Sequence, residues 1–118
     1  MNIIKNETFV ATNFGEVEIF SQKYIKQKIN IFYSFKAILW QGPFFVKEIE
    51  KKLKTSNLTF IAEADINLGL ALSIIELNFK YLAISKSMDI KIIQKIKSMA
   101  KKKNVKVLFS EDLNFSNK

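Results

Sequence analysis

The chain has no histidine, no cysteine and no arginine among its 118 residues. Without the first two there is no imidazole base, thiol nucleophile, disulfide framework or zinc site of the usual nitrogen and sulfur donors. Any chemistry would rest on carboxylates, lysines, tyrosines or hydroxyls. Without arginine, all nineteen cations are lysines. Lysine neutralises phosphate as a point charge but lacks the planar fork that reads guanine edges. Sequence-specific nucleic-acid recognition is therefore not expected. One proline and three glycines disfavour a turn-rich sandwich and favour longer regular elements. No apolar run reaches the roughly 18 residues of a membrane span. The opening MNIIKNETFVAT lacks the apolar core and small-residue cleavage site of a secretory signal, so a cytoplasmic protein is expected. There is no GxGxxG or Walker pattern, and neither cofactor nor metal is expected.

What is present points to one folded domain. Hydrophobic residues make up 48% and aromatics 13%, enough to bury a core and too much for a disordered chain. The formal charge of +8 raises the question of an anionic partner. The abundance of Ile, Lys and Asn is spread over the whole chain, as compositional bias would spread it. The densest basic run, Lys97 to Lys106, has no interleaved aromatics. It reads first as a solvated helix end complementing the helix dipole, and only third as a weak, non-specific nucleic-acid surface.

From Asn13 onward helical and strand patterns alternate. Asn13–Lys28 places Val17, Phe20 and Tyr24 on one helical face, capped by Asn13. Ile29–Phe35 is β-branched and aromatic, a strand. Lys36–Pro43 reads as an unusually long loop, and Phe44–Ser56 as a helix opened by Pro43. Leu58–Ala64 is a strand and Asn67–Phe79 a helix. Tyr81–Ser85 is a strand, Met88–Asn104 the cleanest amphipathic helix, and Val105–Phe109 a strand. The expected fold is α/β: a single domain with a four-stranded, mainly parallel sheet and helices on both faces, in the order αβαβαβαβ. Residues 1–12 are expected to form an arm or edge strand, 13–110 the domain, and 111–118 a flexible tail.

Two stretches carry a resemblance. INIFYSFKAILWQGPFF is a first strand leading into a glycine-containing loop and helix. FIAEADINLGLALSIIEL is a strand ending in acids before a Gly-x-Ala-Leu helix start at Gly69, Ala71 and Leu72. Over about Asn13 to Ser110 the chain resembles a group of short, uncharacterised α/β proteins of alphaproteobacteria. Glu63 stands where the group tends to carry aspartate. Ala64 and Asp65 replace the group's cysteine and glycine, and Ile66 replaces its second aspartate. The group has no assigned activity, so the resemblance implies a fold and no chemistry.

In an open parallel sheet, ligands bind beyond the carboxyl ends of the strands. The residues expected at that rim are Trp40, Gln41, Glu63, Asp65, Asn67, Ser85 and Lys86. Glu63 and Lys86 are the candidate catalytic pair, as acid or base and as anion contact. The plainer alternatives are that Asp65 or Asn67 caps the following helix, Glu63 pairs with Lys86, Trp40 anchors the core, and Gly69 permits close helix-to-sheet packing. The helix after Glu63 is apolar nearly all round. Leu70, Ile74 and Leu77 fall outside its main stripe and are candidate homodimer contacts. The leading expectation is a non-catalytic protein-association module, a homodimer or the partner of another protein. The alternative is an enzyme or binding protein that takes a small anionic ligand at the rim.

Overall fold

The computed structural model describes residues 3–53 and 57–116. Met1, Asn2, the end of the expected third-segment helix (Lys54–Ser56) and Asn117–Lys118 lie outside the described residues. The chain is an α/β protein built on one parallel sheet of six strands, not the expected four. The strands are β1 (Glu7–Ala11), β2 (Ile29–Tyr33), β3 (Leu58–Asp65), β4 (Tyr81–Ile84), β5 (Lys106–Phe109) and β6 (Asn114–Phe115). Their order in the sheet is β5-β4-β3-β2-β1-β6. The helices are α1 (Phe14–Lys23), α2 (Phe35–Gln41), α3 (Pro43–Lys52), α4 (Leu68–Glu76) and α5 (Ile90–Lys102).

Both extra strands come from the chain ends. β1 lies inside the sheet, registered on β2 from Glu7↔Ile29 to Ala11↔Tyr33. The segment read as an arm or edge strand is thus a paired strand second from the edge. Of the segment read as a flexible tail, 111–118, the described residues complete a 3-10 turn (Ser110–Asp112), bury Leu113 and form β6, which pairs with β1 at Glu7↔Asn114 and Thr8↔Phe115. Two paired residues leave no periodic pattern to read.

The helices lie on one face, not two. From β1 to β5 each strand is laid beside its predecessor in the same direction. Crossovers of one hand then place every helix on the same side. The core shows this residue by residue. Phe9, Ile31, Tyr33, Phe60, Ala62, Leu82 and Ile84 share one cluster with Val17, Ile38, Val46, Ile74 and Ile96 from all five helices. The alternate residues Phe32, Ile61 and Ala83 form a second cluster with Leu113, and among the described residues no helix enters it.

The second face is closed by the chain's own ends. At its lower end, Asn30 Nδ2 donates to the carbonyl of Ile3 (2.6 Å) and to Thr8 Oγ1 (3.1 Å). Both polar side chains are fully buried; these bonds satisfy the Asn30 amide donor and engage the Thr8 hydroxyl, while Asn30 Oδ1 has no partner among the described residues. Across the middle lies the C-terminal strap, residues 110–116. Leu113 packs on Phe32, Ile61 and Ala83, and the Phe115 ring meets Phe32 edge-on with centroids 4.9 Å apart.

The helix starts follow from local chemistry. Asn13 Oδ1 accepts from the N–H of Glu16 (2.8 Å), while the Glu16 carboxylate accepts from the N–H of Thr12 (2.7 Å). This reciprocal arrangement satisfies otherwise orphaned donors at the head of α1. α1 then stops at Lys23, short of the expected Lys28. The expected loop Lys36–Pro43 is mostly α2. Gly42, at φ 94°, turns the chain so that Pro43 opens α3.

Candidate functional site

The expected rim residues do reach the carboxyl ends of the strands, but they do not form one site. Glu63 is half-buried near the end of β3, and its Oε1 accepts from the N–H of Phe35 at 2.9 Å. Ser34, in the capping position of α2, makes no side-chain cap bond. A carboxylate from the neighbouring strand takes that role and meets the positive end of the helix. Glu63 does not pair with Lys86. Lys86 Nζ instead contacts Asp112 Oδ1 at 2.6 Å.

Lys86, Ser85 and the strap form a second, separate network. Glu111 accepts from the Ser85 hydroxyl (2.7 Å) through one oxygen and from the N–H of Lys86 (3.0 Å) through the other. Ser85 and Ser87 share a further hydroxyl bond at 2.8 Å. These contacts pin the start of the strap to the end of β4. Asp112 holds the Lys86 ammonium above the ordinary lysine value, first by hydrogen bonding and then by its charge. A nucleophilic or Schiff-base lysine requires a shift in the opposite direction.

The remaining residues have individual roles. Asn67 Oδ1 accepts from the N–H of Leu70 at 2.9 Å and caps α4. Asp65 does not cap. It sits in the left-handed region (φ 55°) beyond a register shift between Glu63 and Asp65, and its carbonyl accepts from the N–H of Ser85. Gln41 is a tie between strands and helix: its Oε1 accepts from the Tyr33 hydroxyl (2.6 Å) and its Nε2 donates to the Thr12 carbonyl (2.7 Å). Gly69 is exposed, and a Cβ there would meet only Asn67 Oδ1 at an ordinary 3.5 Å. Close helix-to-sheet packing does not explain that glycine.

Two expectations fail on burial. Trp40 is no core anchor; it is 88% exposed. Leu70 and Ile74 are buried within the chain's own core and Leu77 is half-buried, so the first two offer nothing to a partner. α4 is apolar nearly all round because it lies over β3 and β4 with α3 and α5 packed against it. Three of its sides are covered internally.

The two rim carboxylates respond to acid in opposite ways. Burial raises Glu63 above its ordinary 4.5, with the nearby Asp65 charge adding to the rise, while the Phe35 N–H opposes it. Glu111 is held below 4.5, first by the Ser85 hydroxyl and then by the N–H of Lys86. Above 4.5, the native state keeps a proton on Glu63 where the unfolded chain has lost it. Stability from this group therefore rises as pH falls through the raised value toward 4.5. The contribution of Glu111 is complete above 4.5 and disappears as pH falls through its lowered value. Glu63→Gln keeps an acceptor for Phe35 and is expected to flatten the pH dependence of the urea midpoint above 4.5 alone. Glu111→Gln is expected to alter only the acid limb below it. A shared effect of both variants in one window would contradict the assignment.

Sequence reasoning missed the apolar corner around Gly42. Leu39, Trp40, Phe44 and Phe45 are all at least half-exposed, although Phe45 carries the spacing of a buried position. A groove of about 350 Å³ beside them is lined by Pro43, Phe44, Leu72 and Leu77 among others. The available signal was the uncharged run LWQGPFF in a chain that is 25% charged. Also missed was a cleft of about 390 Å³ at the opposite end of the sheet, lined by Lys47, Glu50, Phe60, Lys80 and Tyr81 among others. Among the described residues no helix is long and apolar enough to cross a membrane. Compared with protein-family models and with curated proteins, the sequence matches none.

Proposed function

We propose that this chain is a non-catalytic association module whose docking face is the α2–α3 corner, and that its occupant is a second copy. The observation that carries the proposal is Trp40, 88% exposed beside exposed Leu39, Phe44 and Phe45. Tryptophan is enriched among the few residues that dominate binding energy at protein interfaces. A contiguous exposed apolar patch marks an interaction site more often than scattered single residues do. The Gly42 turn sets a projecting indole two residues from one wall of the Phe44–Leu72–Leu77 groove. Knob and groove on one face are the requirement of a two-fold contact, in which each copy gives the other what it receives. The seven residues Leu39–Phe45 carry no charge, and the groove adds only Glu76, which is paired with Lys103, so two such faces meet with little like-charge conflict despite the +8 of each chain. The two rim groups that an enzyme would need are engaged elsewhere, Glu63 with the N–H of Phe35 at the head of α2 and Lys86 with Asp112.

Trp40 is the only tryptophan, so its fluorescence reports the corner directly. Sedimentation equilibrium across the micromolar range is expected to show mass rising toward a dimer while the emission shifts to the blue. The double variant Trp40→Ser, Phe44→Ser is expected to remain monomeric, with the thermal midpoint that the wild type shows at low concentration and no rise as concentration increases. A monomeric mass throughout, with emission fixed at the water-exposed position, would overturn the proposal.

A further inference from the structure

We infer that the amino-terminal end of the sheet carries a binding cleft for phosphate-bearing ligands, a site separate from the apolar corner. The cleft of about 390 Å³ between α3 and the starts of β3 and β4 continues past Lys80, Tyr81, Asn104 and Lys106 into a groove bordered by Lys97 and Lys101 of α5. The topology brings these groups together from distant sequence. Tyr81 is registered on Lys106, and the N–H of Lys106 donates to the carbonyl of Lys80 at 2.9 Å.

What separates this cluster from the chain's general excess of lysine is its state of neutralisation. Glu50, the carboxylate lining the cleft, is buried and already engaged by the Lys47 ammonium and by the N–H of Lys80 at 2.9 Å. Lys51 is paired with Glu48, and Lys103, behind the groove, with Glu76. Among the described residues, no carboxylate pairs with Lys80, Lys97, Lys101 or Lys106. Four ammonium groups thus border adjoining depressions whose one lining carboxylate, Glu50, is already engaged. Such a concave field of one sign concentrates anions. Lysine suits phosphate as a point charge, without demanding two-point geometry.

The walls add a second element of recognition. The volume lies within the range of small-molecule sites, so the walls can hold more than a bare phosphate. That room beside ammonium groups fits a phosphate ester with an organic body, such as a nucleotide, either free or as a unit of a single strand.

The experiment titrates the full chain calorimetrically with inorganic tripolyphosphate, ATP and a short oligodeoxyadenylate, at low and at moderate salt. Binding that weakens with salt is expected, because phosphate contacts release counterions. Lys80→Gln with Lys106→Gln should weaken it by about tenfold or more, the loss expected for two phosphate contacts. The equal-charge control Lys36→Gln with Lys91→Gln, at the far end of the sheet, should change it little. All four lysines are exposed, so both pairs should fold. ATP bound more tightly than the oligonucleotide identifies a free nucleotide as the ligand class, and the reverse order identifies a strand; either supports the site. No binding of any probe at low salt, or an equal loss in the control pair, overturns it.

Discussion

Ile74→Ala is expected to cost about 2–5 kcal/mol, the range for deleting a fully buried aliphatic side chain when the surrounding core only partly collapses. Ile74 has no exposed surface and belongs to the cluster that joins all five helices to one face of the sheet. In a chain of 118 residues that loss corresponds to a thermal midpoint lower by roughly 8–20 °C. The same substitution separates two accounts of α4. As part of a dimer interface, Ile74→Ala would lower the mass in solution, and its effect on the midpoint would grow with protein concentration, vanishing where neither form associates. As a core residue, it lowers the midpoint by the same amount at every concentration and leaves the mass of the folded protein unchanged. Urea titrations at two concentrations a hundredfold apart, read by circular dichroism, distinguish them. A cost below about 1 kcal/mol would fall outside the core range and put the burial of α4 in doubt.

The way α4 misled is informative about what a sequence carries. Its apolar residues do record cover on several sides, but not who supplies it. Here α3 and α5 supply it, because one-directional strand order lines up the helices on a single face. Strand order is a property of the whole chain, invisible in any window of residues. What local pattern could reveal, it did: the strands from Ile29, Leu58 and Tyr81, the amphipathic α5, and the caps Asn13 and Asn67. The head of α2 illustrates the opposite case. Its cap comes from Glu63, twenty-eight residues away, so no local signal announced a helix at Phe35. The chemical groups expected at the rim were legible by type and place, but not their partners. Those depend on register, including the shift between Glu63 and Asp65, and on a C-terminal strap with too little pattern to foresee.

That strap carries the second large effect. Leu113→Asp is expected to lower stability by about 2–4 kcal/mol, within the range for losing a buried leucine. Leu113 is 8% exposed and packs on Phe32, Ile61 and Ala83. An aspartate there has no counter-charge in the cluster, so the strap is expected to lift rather than bury it. The anchors left to hold the strap are modest: the exposed Lys86–Asp112 pair, the Glu111 bonds and the two-residue β6. Surface ion pairs contribute little in water. Lifting exposes Ile61 and Ala83, both fully buried in the native chain, and leaves the outer edge of β1 unpaired. An apolar sheet face beside a free strand edge invites aggregation. The variant should therefore bind a hydrophobic dye below its thermal midpoint and lose amide protection in β1 and β6, while α4 and α5 remain protected. The milder Phe115→Ala, at a ring that is 40% exposed, should cost about 1 kcal/mol and leave dye binding low, because partly exposed side chains lose less on truncation. Native stability and no dye binding in the Leu113→Asp variant would mean that the second face is closed without the strap.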